Sequence, residues 1–225
     1  MRNISINIAI ITIDMPAHGE SIYNPDNQEL SFEYFTKCVE CLLDHLSIEK
    51  CVMGGISMGA GITLRFVLSN PNRVTRMLLV RPSWLDKHKP SHLSIVADVG
   101  HWIEDHGLAE AESLLSKHPV YLENEATYPK SAASIKGLLT RPQVETGASV
   151  LYKLFDDRPI DYLDTLLGIE IKATVFTNDE DDLHPGSIGR KIFENLPNAS
   201  LVHLPPRYGD PEKHRQALIE AILAI

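Results

Sequence analysis

The chain has 225 residues, 44% of them apolar and 23% charged, and a formal net charge of −9. That length suits one compact domain with a real core, and with no run of Lys or Arg to offset the acidic balance, nucleic acid and anionic membranes are poor partners and small molecules better ones. No apolar run reaches the roughly 20 residues that a membrane span requires.

Residues 4–13 alternate apolar positions with Ser5 and Asn7 and then become continuous and β-branched over 8–13. No small-residue cleavage site follows, so the segment reads as a strand buried on both faces, not a signal peptide, and the expected location is cytoplasmic. Asp14-Met15-Pro16-Ala17-His18-Gly19 then reads as a loop by its Pro and Gly. Ser31 is placed to cap a helix running to about Leu46, with Glu33 in its first turn. Three cysteines, Cys38, Cys41 and Cys51, are an odd number in a chain without a disulfide-rich look, which fits a reducing compartment. Cys38 and Cys41 form a C-x-x-C inside the helical pattern, far from any second pair at zinc spacing, and core packing is the expected role.

A strand over 50–55, a tight turn and a helix over 58–69 follow, stopped at Asn70-Pro71; the next strand is 77–80. From 82 to 164 the pattern is helical only, with segments near 91–106, 108–117, 130–139 and 144–155. An all-helical excursion between two strands reads as a lid, which divides the chain into a core of 1–81 and 165–225 and a lid of 82–164. The sheet resumes at 173–176, followed by an acidic loop over 178–185, a helix over 187–196, a strand over 200–203 and a closing helix over 211–225. The expected fold class is α/β: a mostly parallel sheet with helices on both faces and an inserted helical lid.

The turn carries the chemistry. Gly55-Ile56-Ser57-Met58-Gly59 has the form G-x-S-x-G, and it sits between a strand and a helix. A sharp bend there pushes a serine out of the sheet, with small neighbours that let backbone crowd it, so its hydroxyl can meet a substrate. The bare pentapeptide is common; the strand-turn-helix setting gives it weight.

In the order of these parts the chain resembles the α/β-hydrolase family. The likeness rests on the D-x-P-x-H-G loop at 14–19, the Ser57 turn, the helical insertion and the Asp181-Asp182-Leu183-His184-Pro185 loop, and it runs from residue 8 to 225. It implies a Ser-acid-His triad in that chain order. Ser57 matches the nucleophile, and the carboxylate four residues before the loop proline is Asp181, with Asp182 and Asp179 as alternatives. The family's Gly-His after the last strand is missing: the loop reads Leu204-Pro205-Pro206-Arg207-Tyr208-Gly209-Asp210. His214 is the first candidate for the base and His203 the next, with the absence of any triad histidine left open; His18 and His184, on loops near the expected site, are weaker candidates because the family gives those positions structural and positional parts.

The front of the family's domain is also missing, with its oxyanion loop, which leaves the N–H of Met58 as the expected oxyanion donor. The shortened sheet has a gap between the strand ending at Asp14 and the one ending at Gly54. Direct pairing of those strands, self-association through the sheet, or a longer reading frame of which this is a fragment would repair it. The resemblance implies a serine hydrolase acting on a small ester or related acyl compound. Trp84, Trp102, Ile103, Leu114, Leu115 and Leu154 are candidates for an apolar pocket, and no cofactor is implied. His101 and His106 are spaced off one helical face, so no metal site is expected there. The competing expectation is a catalytically degenerate member of the fold that binds a small ligand or a partner.

Overall fold

The structure is a computed structural model that describes residues 9–24 and 29–224. Its regular elements are α1 (Phe32–His45), β1 (Cys51–Ile56), α2 (Met58–Ser69), β2 (Val74–Val80), α3 (Ser94–His106), α4 (Leu108–Leu115), α5 (Pro119–Thr127), α6 (Pro129–Lys136), α7 (Ser149–Lys153), β3 (Ala173–Thr177), α8 (Gly186–Asn195), β4 (Ala199–His203) and α9 (Pro211–Leu223). Among the described residues the sheet has four parallel strands in the order β1-β2-β3-β4.

Local chemistry sets these elements. Ser31 is extended and its hydroxyl accepts from the Tyr34 N–H at 3.1 Å, satisfying one donor that the start of α1 would otherwise leave free. β3 is buried at all five positions, as expected for a continuous apolar strand covered on both faces. One face of the sheet packs Met53, Met77, Leu79 and Val175 against Leu64 and Phe66 of α2 and Ile192 of α8. The other packs Leu78, Val80 and Phe176 against Ala217, Leu218 and Ala221 of α9. Helices therefore cover both faces.

The helices α3 to α7 all fall between β2 and β3, as the sequence pattern indicates. They form a second core with Phe32 and Phe35 of α1 and with Met15 and Ala17, whereas Ile160, Leu166 and Ile169 already pack with the sheet. Helix α5 is an addition to the sequence-based reading. The segment expected at 144–155 is α-helical only over Ser149–Lys153.

The first expected strand is corrected. Residues 9–13 carry no regular secondary structure, and Ile10 is 84% exposed; residues 4–8 lie outside the described residues. Without a neighbour at β1 spacing, this segment has no ladder to join, so β-branched composition alone does not make it a strand. Among the described residues no segment pairs with the outer side of β1, whose Val52 is 56% and Ile56 51% exposed. Between residues 9–15 and β1 lies a groove of about 420 Å³.

The C-x-x-C expectation also changes. Cys38 is half-buried and Cys41 exposed, so neither is a core residue, and all three thiols are free. Among the described residues no helix is long and apolar enough to cross a membrane.

Candidate active site

β1 runs into α2 through Ser57, whose φ of 56° and ψ of −114° lie outside the ordinary regions for a side-chain-bearing residue. The strain is held by the N–H of Ser57, which donates to Val80 O at 3.0 Å, and by the first turn of α2, whose Ala60 N–H donates to Ser57 O at 3.0 Å. Gly55 makes the bend feasible: a Cβ there would stand 2.1 Å from the Gly59 carbonyl carbon. Gly59 is different, because a Cβ there would meet nothing within 4 Å.

Ser57 opens on a cavity of about 300 Å³. Its apolar walls include Trp84, Leu93, Val96 and Leu154, while His18, His184, Arg207 and Tyr208 supply polar groups. Of the expected pocket residues, Trp84 and Leu154 are thus at the cavity; Ile103 and Leu115 are buried in the helical core, and Trp102 packs on that core beside His118. The Ser57 hydroxyl approaches Ser83 Oγ at 3.5 Å, the outer limit of a hydrogen bond. Ser83 itself donates to Leu183 O at 2.7 Å. The amide of Met58, first residue of α2, has no intrahelical acceptor and lies next to the serine at the helix's positive end.

Asp181 is 5% exposed, and its two oxygens are separately engaged. Oδ2 accepts from Arg81 Nη1 at 2.7 Å and Oδ1 meets His184 Nδ1 at 2.7 Å. Burial by itself would raise the Asp181 carboxyl, but the hydrogen bond and charge of His184 and the charge of Arg81 together hold it below the ordinary carboxylate value. The local turn explains the pairing. His184 N–H donates to Asp181 O at 3.0 Å, which folds the four residues back and sets the two side chains side by side. Arg81 is also placed by strain: its φ is 46°, its N–H donates to Phe176 O at 2.8 Å, and its side chain is buried.

The carboxylate can only accept, so His184 Nδ1 carries the proton and Nε2 has no hydrogen-bond partner among the described residues. Burial first, then the Arg81 and Arg207 cations, lower the His184 pKa against the opposing pull of Asp181, which keeps the ring neutral near pH 7.

Neither histidine expected as the base lines the Ser57 cavity. His214 is buried on α9 with Nδ1 on Pro205 O at 2.7 Å, and it is not among the residues that line the Ser57 cavity. His203 is more than half exposed and pairs through Nε2 with Asp179 at 3.3 Å. His18 does line the cavity, with Nδ1 on Pro16 O at 3.1 Å. Asp182 is exposed at the surface of the loop. Sequence reasoning missed Arg81 and Ser83; it set His184 on a loop near the site but gave it a positional part. The D-x-x-H turn was the available signal for His184. Among the described residues no group of three His, Cys, Asp or Glu side chains is arranged to hold a metal.

Comparison with known proteins agrees with this fold. Residues 7–124, just over half of the chain, match the family described as alpha/beta hydrolase fold. Over 90 residues the chain is 37% identical to sn-1-specific diacylglycerol lipase ABHD11 from Danio rerio, a match covering 39% of this chain and 27% of that protein. Over 130 residues it is 27% identical to Protein NDRG2 from Danio rerio, covering 52% and 35%. The chain thus spans about a quarter to a third of the length of these two curated relatives. Solved structures are similar over nearly the whole chain. An esterase from Thermogutta terrifontis matches with a TM-score of 0.65 at 20% identity, covering 93% of this chain and 78% of that one. The enol-lactonase from Burkholderia xenovorans LB400 matches with 0.68 at 20%, covering 93% and 77%.

Proposed function

We propose, from the premise that this chain belongs to the alpha/beta hydrolase fold family, that it is a serine hydrolase acting on a small ester or related acyl compound. The observation that carries the reading is the strained Ser57 turn, which presents a hydroxyl to an apolar cavity beside a buried Asp–His pair. Ser57 is the nucleophile, the Met58 N–H faces the developing oxyanion, and Asp181 is the acid that orients the base. A cavity of about 300 Å³ suits a small acyl group. The names lipase, esterase and enol-lactonase among the similar proteins support ester chemistry. In this reading the helices α3 to α7 act as a lid, since Trp84, Leu93 and Leu154 from between β2 and β3 wall the cavity. Three free thiols suit a reducing, cytoplasmic setting.

One observation favours a second reading, a protein of this fold that binds a ligand without turnover. Arg81 holds one oxygen of Asp181, and its charge beside His184 opposes the imidazolium that catalysis would form. Hydrolysis of a panel of short-chain aryl esters separates the two. The hydrolase reading expects saturable hydrolysis that Ser57→Ala removes. Equal rates in wild type and Ser57→Ala would leave only the binding protein.

A further inference from the structure

The loop that carries the acid also places an imidazole in the nucleophile's cavity, and no histidine stands in the loop after β4. We propose that His184, three residues after Asp181, is the general base for Ser57. The inference rests on the hydrolase reading and specifies its missing part.

Three observations support it. First, Asp181 Oδ1 accepts a hydrogen bond from Nδ1–H at 2.7 Å, which fixes the tautomer and leaves the Nε2 lone pair as the acceptor. Second, Nε2 has no hydrogen-bond partner among the described residues, and His184 lines the same 300 Å³ cavity as Ser57. Third, the Ser57 hydroxyl has only the 3.5 Å approach to Ser83, so nothing strong holds it away from a base. Such contacts tighten when substrate fills the site. His214 also has its Nδ1 on an acceptor, the Pro205 carbonyl, but it is a backbone carbonyl and not a carboxylate, and the ring is not among the groups that line the Ser57 cavity.

The step balances without a co-reactant other than water. Ser57 Oγ bonds to the acyl carbon as its proton passes to His184 Nε2, and the carbonyl electron pair moves onto the oxygen facing the Met58 N–H. Collapse breaks the bond to the leaving oxygen, which takes the Nε2 proton. Water then gives a proton back to Nε2 and attacks the acyl carbon. The acid is released, and Nε2 returns the proton to Ser57.

The charged and titratable groups that act on His184 come from four places. They are Asp181 on its own loop, Arg81 after β2, Arg207 after β4 and His92 before α3; His18 shares the cavity. The net effect lowers the ring's pKa, so the acid limb of kcat/KM belongs below pH 6.5, the ordinary histidine value.

The test is kcat/KM against pH for wild type, Ser57→Ala, His184→Gln and His214→Gln, with added imidazole on His184→Gly. The expectation for His184→Gln is a loss of about 10²–10⁴-fold together with the acid limb, and partial recovery of His184→Gly by imidazole. Recovery distinguishes a missing base from a damaged fold. If His184→Gln keeps full rate and an unshifted limb while Ser57→Ala is dead, or if His214→Gln is the variant that loses activity, His184 is not the base and the hydrolase reading survives. Wild type inert both to esters and to fluorophosphonate fails both together.

Discussion

The two sides of β1 are unlike. Toward β2 it is paired from end to end and delivers Ser57 into a turn where backbone, glycine and helix all agree. On its outer side the same strand faces a 420 Å³ groove, and the chain across that groove, residues 9–13, forms no ladder. The difference teaches what a short segment can determine by itself. A bend between a strand and its own following helix needs only neighbours in sequence, whereas a strand in the middle of a sheet needs two partners supplied by other parts of a chain.

Substitutions can break or sharpen this contrast. The largest effect belongs to the built side: Ser57→Ala is expected to reduce ester hydrolysis by about 10⁴-fold or more, measured as kcat/KM, with the fold unchanged by circular dichroism. Next is Arg81→Met, which strands the Asp181 carboxylate in the interior and is expected to lower stability by about 3–5 kcal/mol in urea unfolding at neutral pH. The sign with pH follows from Asp181, whose carboxyl lies below its ordinary 3.8 in the folded state. Its stabilising contribution is complete above that value and is lost as pH falls through the folded one, so the gap between wild type and Arg81→Met should narrow in acid.

The glycines of the pentapeptide give the sharpest pair. Gly55→Ala drives a methyl into the Gly59 backbone and is expected to cost about 3 kcal/mol. Gly59→Ala points its methyl into open space within α2 and is expected to stabilise by about 0.5–1 kcal/mol, both read as shifts in the urea midpoint. A collision at Gly59 of the size seen at Gly55 would mean that the outer side is occupied. Smallest of all, Ile10→Ser should stay within about 0.5 kcal/mol of wild type, because the side chain is almost wholly in solvent.

Legibility in the sequence follows the same division. The capped α1, the Ser57 turn and buried β3 were readable because each is set by residues within a few positions. The first strand was misread because β-branched composition reports a preference for sheet surroundings and not their existence. Helix α5 escaped notice because only Tyr121 and Asn124 are buried along it, too few to mark a face. At the site, Ser57 was legible from its motif and Asp181 from its distance to Pro185. His184 was legible as a loop histidine near the site but its pairing with Asp181 was not, because that depends on the turn that folds Asp181 through His184.

Hydrolysis here requires that Ser57, in its strained bend, be an activated nucleophile. Fluorophosphonate labelling followed by intact mass and peptide mapping tests this most directly. One label per chain is expected, on Ser57, absent in Ser57→Ala and slowed in His184→Gln. Folded wild-type protein that takes no label at Ser57 at any pH it tolerates, or that is labelled equally when Ser57 is alanine, would contradict it.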